Sequence, residues 1–185
     1  MINKIHILGA SGSGTTTLAK ALAEKLGYKH LDTDDYYWIP TDVPFTRVRP
    51  IQDRQSLLKK DLTNTPQWIL SGSLCGWGDI FVPYFDLVVF IWIPQEIRIK
   101  RLIEREQNRY GKEIEKNGSR YQSFLKFIEW ASSYDEAGVE TRSRAMHEQW
   151  ISKLKCPVLR IEGDITSSVH ERVSKVLEMI NTTRT

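Results

Sequence analysis

Residues 4–19 read Lys-Ile-His-Ile-Leu-Gly-Ala-Ser-Gly-Ser-Gly-Thr-Thr-Thr-Leu-Ala. An apolar run enters a glycine-rich loop and an amphipathic segment leaves it, an order that demands a strand, a tight loop and a helix in succession. Gly9, Gly12 and Gly14 permit positive φ and close backbone approach, so consecutive N–H groups can turn inward around an anion. The helix that follows adds the positive end of its dipole. Gly9 to Thr16 spells G-x-x-x-x-G-T-T, the spacing of a phosphate-binding loop with Thr15 at the position usual for lysine. That change removes a point charge and leaves the backbone cradle. Gly9, Ala10, Ser11, Gly12, Ser13, Gly14, Thr15, Thr16 and Thr17 are therefore the predicted phosphate-binding residues, and Thr16 stands where a hydroxyl would bind Mg²⁺.

The rest of the chain alternates strands and helices. Thr15 to Leu26 has the helical stripe Leu18, Leu22 and Leu26, and Gly27 ends it. Short strands are predicted at Tyr28 to Leu31, Trp68 to Leu70 and Val158 to Ile161. The run Leu87 to Ile93 is continuously apolar, as a central parallel strand buried on both faces requires. Helices are predicted over Gln52 to Leu62, from Gln95 past Arg109, over Ser123 to Ala131 and over Thr141 to Leu154. A capping box, Ser168-Val169-His170-Glu171, opens the last one. Residues 181–185 read as a frayed tail. The pattern predicts a three-layer α/β fold with a parallel five-stranded sheet between helices.

In such sheets ligands gather at the carboxyl ends of the strands. The Asp32-Thr33-Asp34-Asp35 stretch follows the second strand there. Asp32 could hold Mg²⁺ or its waters, and Asp34 could orient or deprotonate an acceptor hydroxyl; the alternative is that they are turn and N-cap residues. Arg47, Arg49 and Arg54 could bind an anionic acceptor or lie on a solvated surface. Ser71, Gly72 and Ser73 follow a buried strand and suit either a ligand-hugging loop or an ordinary turn. Arg98, Arg101, Arg105 and Arg109 recur near helical spacing, as a phosphoryl-binding stripe or a salt-bridged exposed face. Gly111 to Gly118, with Lys112, Lys116 and Arg120 nearby, is polar and bounded by glycines, as a mobile lid is. His147 reads as a packing or capping histidine.

Composition narrows the classes. The chain has 185 residues, 41% hydrophobic and 26% charged, which suits one soluble globular α/β domain over 1–185. Two cysteines without a C-x-x-C pattern argue against a disulfide framework or a zinc site. A formal charge of +3 is too small to argue for nucleic acid by itself. The start runs directly into the first strand, and the longest apolar run is too short to span a bilayer. The expected setting is the cytoplasm, without membrane attachment, as a monomer or weak dimer.

The order of parts resembles the P-loop small-molecule kinases: adenylate, cytidylate and shikimate kinases. Archaeal-type cytidylate kinases are similar in carrying threonine at the lysine position of a G-S-G-T-T loop. Asp32-Thr33-Asp34 is similar to the D-x-D of shikimate kinase, whose first acid serves Mg²⁺ and whose second meets the acceptor hydroxyl. Arg101-Leu102-x-x-Arg105 looks like the R-L-x-x-R that leads into the lid of adenylate kinases. The Trp77-Gly78-Asp79 and Trp130 to Asp135 stretches resemble bacterial adenylate-kinase-related proteins, some labelled topology modulation proteins. The resemblance implies an acceptor-binding segment over about 36–66 and a lid over about 106–122. It implies an enzyme that moves the γ-phosphoryl of Mg·ATP to a nucleoside monophosphate or a small hydroxylated metabolite. Asp34, Arg101 and Arg105 would be catalytic, and Asp34, Arg47, Arg49, Arg54, Ser71, Gly72 and Ser73 would meet the acceptor. Thr16 and Asp32 would hold the metal. The alternative is a nucleotide-dependent ATPase switch acting on a macromolecular partner such as DNA, with the arginine stripe as its footprint.

Overall fold

The computed structural model describes residues 2–163 and 168–183. Five parallel strands form one sheet in the order β2-β3-β1-β4-β5. They are β1 (Lys4–Gly9), β2 (Lys29–Asp32), β3 (Trp68–Ser71), β4 (Leu87–Trp92) and β5 (Val158–Glu162). The helices are α1 (Thr15–Leu26), α2 (Thr33–Tyr37), α3 (Ile51–Asn64), α4 (Gln95–Tyr110), α5 (Tyr121–Ser132), α6 (Arg144–Ile151) and α7 (Val169–Thr182). Short 3₁₀ helices lie at Asp79–Tyr84, Gly111–Ile114 and Ser133–Asp135.

Alternation along the strands sends side chains to two cores. Ile5, Ile7, Ile69, Val89 and Ile91 pack with Leu18 and Leu22 of α1 and with Val173, Val176 and Ile180 of α7. Leu8, Leu70, Val88 and Phe90 face the other way, onto Leu58 and Leu62 of α3, Phe81, and Trp150 and Ile151 of α6. The fold is therefore the three-layer parallel α/β architecture expected. Gly27 closes α1 at φ 70°, and Ser168 and Glu171 make both bonds of the capping box at α7. No helix among the described residues is long and apolar enough to cross a membrane.

At Asp32 the capping alternative holds: Oδ1 accepts from the Asp34 N–H and α2 starts at once. Two local expectations are corrected. The helix predicted over Thr141 to Leu154 begins only at Arg144, because Ser143 accepts the Met146 N–H and acts as its N-cap. At the C-terminus α7 runs through Thr182, so Asn181 and Thr182 are helical; Arg184 and Thr185 lie outside the described residues.

Candidate functional site: the glycine-rich loop and the strand ends beside it

The loop between β1 and α1 is shaped by contacts that only glycine tolerates. A Cβ on Gly9 would collide with the Ile91 carbonyl oxygen. At Gly12, which has φ 81°, it would lie 2.7 Å from the Arg98 carbonyl oxygen. Gly14 caps α1 at φ 94° and, as a glycine, brings no side chain to accept from the first turn of the helix. The N–H groups at that end are left for another acceptor, and the dipole favours an anion there. Backbone and uncapped helix end together fit a phosphate, without a lysine.

Asp32 stands at the carboxyl end of β2, beside this loop. Its Oδ2 accepts from Thr16 Oγ1 at 3.0 Å and from Ser71 Oγ at 2.9 Å, while Oδ1 accepts from the Asp34 N–H at 3.1 Å. The hydroxyl and carboxylate that the sequence proposed for metal thus meet. A hard oxygen pair of this kind fits Mg²⁺, which keeps several waters and takes the rest of its ligands from phosphates. Among the described residues no cluster of three or more His, Cys, Asp or Glu side chains offers a different, all-protein cage.

Asp34 reaches solvent from within a rim of protein. Burial of its surroundings, and then the charge of Asp32, raise its pKa; Arg142 and Arg105 act in the opposite sense. A carboxyl group in that setting holds a proton more readily than a free aspartate. Arg142 was placed in a helix by the sequence and given no role. It lies instead in the segment before α6, stacks on Trp130 at 4.5 Å, and donates from Nη2 to Ser11 Oγ of the loop at 2.9 Å. The signal that could have found it is Ser143, a helix N-cap that leaves the preceding arginine free to turn toward the loop.

The arginine stripe on α4 divides. Arg98 is fully buried. It donates to the Ile93 and Ala131 carbonyls at 3.1 and 3.2 Å and pairs with Asp135 at 2.6 Å. Arg101 is exposed with no side-chain partner among the described residues. Arg105, also exposed, pairs with Glu106 and lies over Phe127. Arg109 lies over Phe45 at 5.5 Å, so the end of α4 meets the segment after α2.

The candidate acceptor residues are likewise sorted. Arg54 is buried, with its guanidinium 4.0 Å from the Tyr37 ring and 5.8 Å from that of Trp77. Among the described residues only its Nε is hydrogen-bonded, to the Arg49 carbonyl at 2.6 Å. Arg49 gives its donors to the Tyr36 and Trp38 carbonyls, and Arg47 is exposed without a side-chain partner among the described residues. Ser71 faces Asp32. Gly72 has φ 104° and sits where a Cβ would collide with Thr33 Oγ1. Ser73 is buried against His147 Nε2 at 3.0 Å, and the Tyr134 hydroxyl takes the other ring nitrogen at 2.7 Å. His147 is thus a packed histidine; burial first, then Arg142, pushes its pKa down to about 3.

Against known proteins, the family described as AAA domain matches residues 5–122. The chain is 56% identical over 181 residues to the uncharacterized protein YqaC of Bacillus subtilis, covering 98% of this chain and 99% of that one. It is 33% identical over 114 residues to the cytidylate kinase of Archaeoglobus fulgidus, covering 56% of this chain and 62% of that one. The fold is shared with the shikimate kinase from Acinetobacter baumannii solved with shikimate, at TM-score 0.58 and 17% identity, over 99% of this chain and 95% of that one. With its loop, its strand order and this match over most of its length, the chain belongs to the AAA-domain family, within the P-loop small-molecule kinase superfamily.

Proposed function

We propose that the protein is a phosphotransferase that moves the γ-phosphoryl group of ATP to a small acceptor, a nucleoside monophosphate or a hydroxylated metabolite. One observation carries this reading: Arg142 bonds Ser11 of the loop and acts electrostatically on Asp34, so cation, loop and acid converge on one point.

The backbone N–H groups of the loop and of the first turn of α1 would bind the nucleotide phosphates. Thr16 and Asp32 would hold Mg²⁺, which supplies charge neutralisation at the phosphoryl oxygens. Arg142 and Arg105 would stabilise charge on the group in flight, the role given to a lysine in other loops of this type. Arg54, stacked on Tyr37 with no hydrogen bond at its outer guanidinium nitrogens among the described residues, would take an anionic group of the acceptor. For a hydroxyl acceptor, Asp34 takes the proton as the new oxygen–phosphorus bond forms and the bond from phosphorus to the ADP oxygen breaks. The remainder is positioning.

The test is ADP release from Mg·ATP against a panel of nucleoside monophosphates, nucleosides and hydroxylated metabolites. Stimulation by one acceptor class, lost in Asp34→Asn with ATP binding retained, supports the reading. ADP release that no acceptor changes contradicts it.

A further inference from the structure

The bond that Ser71 gives Asp32 is one link in a longer chain. β2 and β3 are in register with Asp32 opposite Ser71 and His30 opposite Ile69. His30 and Asp32 are two residues apart, so they share a face of the sheet, the one that carries α1. Ser71 is fully buried there and His30 half-buried.

The hydrogen-bond directions follow from the donor inventory. Ser71 has one hydroxyl hydrogen, and it goes to Asp32 Oδ2 at 2.9 Å. The contact between His30 Nε2 and Ser71 Oγ, also 2.9 Å, is then a donation by the ring N–H. The order is His30 Nε2–H to Ser71 Oγ–H to Asp32 Oδ2, which also receives the Thr16 hydroxyl. Asp32 is oriented from the sheet side by a donor outside the nucleotide loop. Its direction does not depend on Thr16 alone, and the Thr16 hydroxyl, which points its hydrogen at Asp32, has its oxygen lone pairs left for a cation.

We propose that His30 and Ser71 are positioning residues that hold Asp32 against Thr16 and so set how tightly the site takes a divalent cation together with ATP. The proposal rests on the reading above that Thr16 and Asp32 form the metal side. Residues one step behind a metal ligand fix its rotamer, and their loss lowers metal affinity by roughly 10- to 100-fold.

The experiment uses the full chain with a non-hydrolysable ATP analogue and Mn²⁺ as the probe, read by electron paramagnetic resonance. Ser71→Ala should weaken Mn²⁺ binding about 10-fold. His30→Ala should weaken it less, and His30→Gln, which restores an N–H donor, should recover it. Affinity for the analogue without metal should stay at the wild-type level, and circular-dichroism melting confirms that each variant is folded. A role confined to packing would lower the melting temperature without moving the metal affinity. Wild-type Mn²⁺ affinity in Ser71→Ala, with a large loss in Asp32→Asn, would overturn the positioning role and leave the metal assignment standing. Wild-type affinity in Asp32→Asn as well would overturn both.

Discussion

Arg98 gives the most quantitative test of how the site is mounted. Its carbonyl lies under Gly12, and its guanidinium is fully buried with Asp135 as counter-charge. Asp135 also accepts from Trp92 Nε1 at 2.6 Å, so one carboxylate ties α4, β4 and the turn after α5. Among the described residues, Asp135→Ala leaves the guanidinium with the Ile93 and Ala131 carbonyls and the Tyr134 ring, and no counter-charge in contact. Removing one partner of a buried pair costs about 3–5 kcal/mol. Asp135 is 22% exposed, so water can reach the vacated space, and the lower end, about 3 kcal/mol, applies. For a chain of this length that is a fall in melting temperature of roughly 6–12 °C. Asp135→Asn keeps an acceptor for Trp92 and removes the charge, so it should lose most of the same stability. Calorimetry and urea unfolding read both variants. A shift under about 2 °C in Asp135→Ala, or a wild-type Asp135→Asn beside a damaged Asp135→Ala, would refute the buried-charge argument.

Other consequences follow from single residues. Burial pushes His6 down to about 4 and His147 to about 3, both from 6.5. Between those values and 6.5 the unfolded chain binds more protons than the folded one, so stability is intact above pH 6.5 and falls as pH drops toward 4. His6 alone accounts for about 3 kcal/mol of that loss; urea midpoints that stay flat from pH 7 to pH 4.5 would contradict it. Gly72→Ala should destabilise by about 2 kcal/mol, through positive φ and the Thr33 overlap. Adding Thr33→Ala should recover part of that, and a neutral Gly72→Ala in thermal melts would remove the argument. Arg142→Ala should lower kcat by about two to three orders of magnitude, with a smaller effect on ATP affinity. An unchanged kcat would withdraw Arg142 from the proposed chemistry.

What the sequence made legible was local or periodic. The glycine loop, its flanking strand and helix, the apolar central strand and the capping box at Ser168 each depend on neighbours within one element, and each has its predicted form. Asp32 was readable as a strand-end acid or as an N-cap; that it is both at once depends on Thr16 and Ser71 meeting its other oxygen, contacts 16 and 39 residues away. Side-chain partners at long range were not readable. Helical spacing put Arg98 on one stripe with Arg101, Arg105 and Arg109, and only Asp135, 37 residues on, explains its burial. Ser71 looked like a ligand donor after a buried strand; its hydroxyl goes to Asp32, 39 residues earlier, and His30 is 41 residues away. Arg142 reaches Ser11 across 131 residues; Ser143 as an N-cap could have placed it outside the helix, but nothing local names Ser11 as its partner.

The central claim is that phosphorus leaves ATP for a small acceptor held near Asp34. Phosphorus-31 NMR of the protein with Mg·ATP and the acceptor that most stimulates ADP release tests it most directly. The account predicts a new phosphoryl resonance bonded to the acceptor, appearing in step with ADP and absent in Asp34→Asn. Inorganic phosphate as the sole product, formed at a rate that no acceptor alters, would contradict it and point to a nucleotide-driven switch.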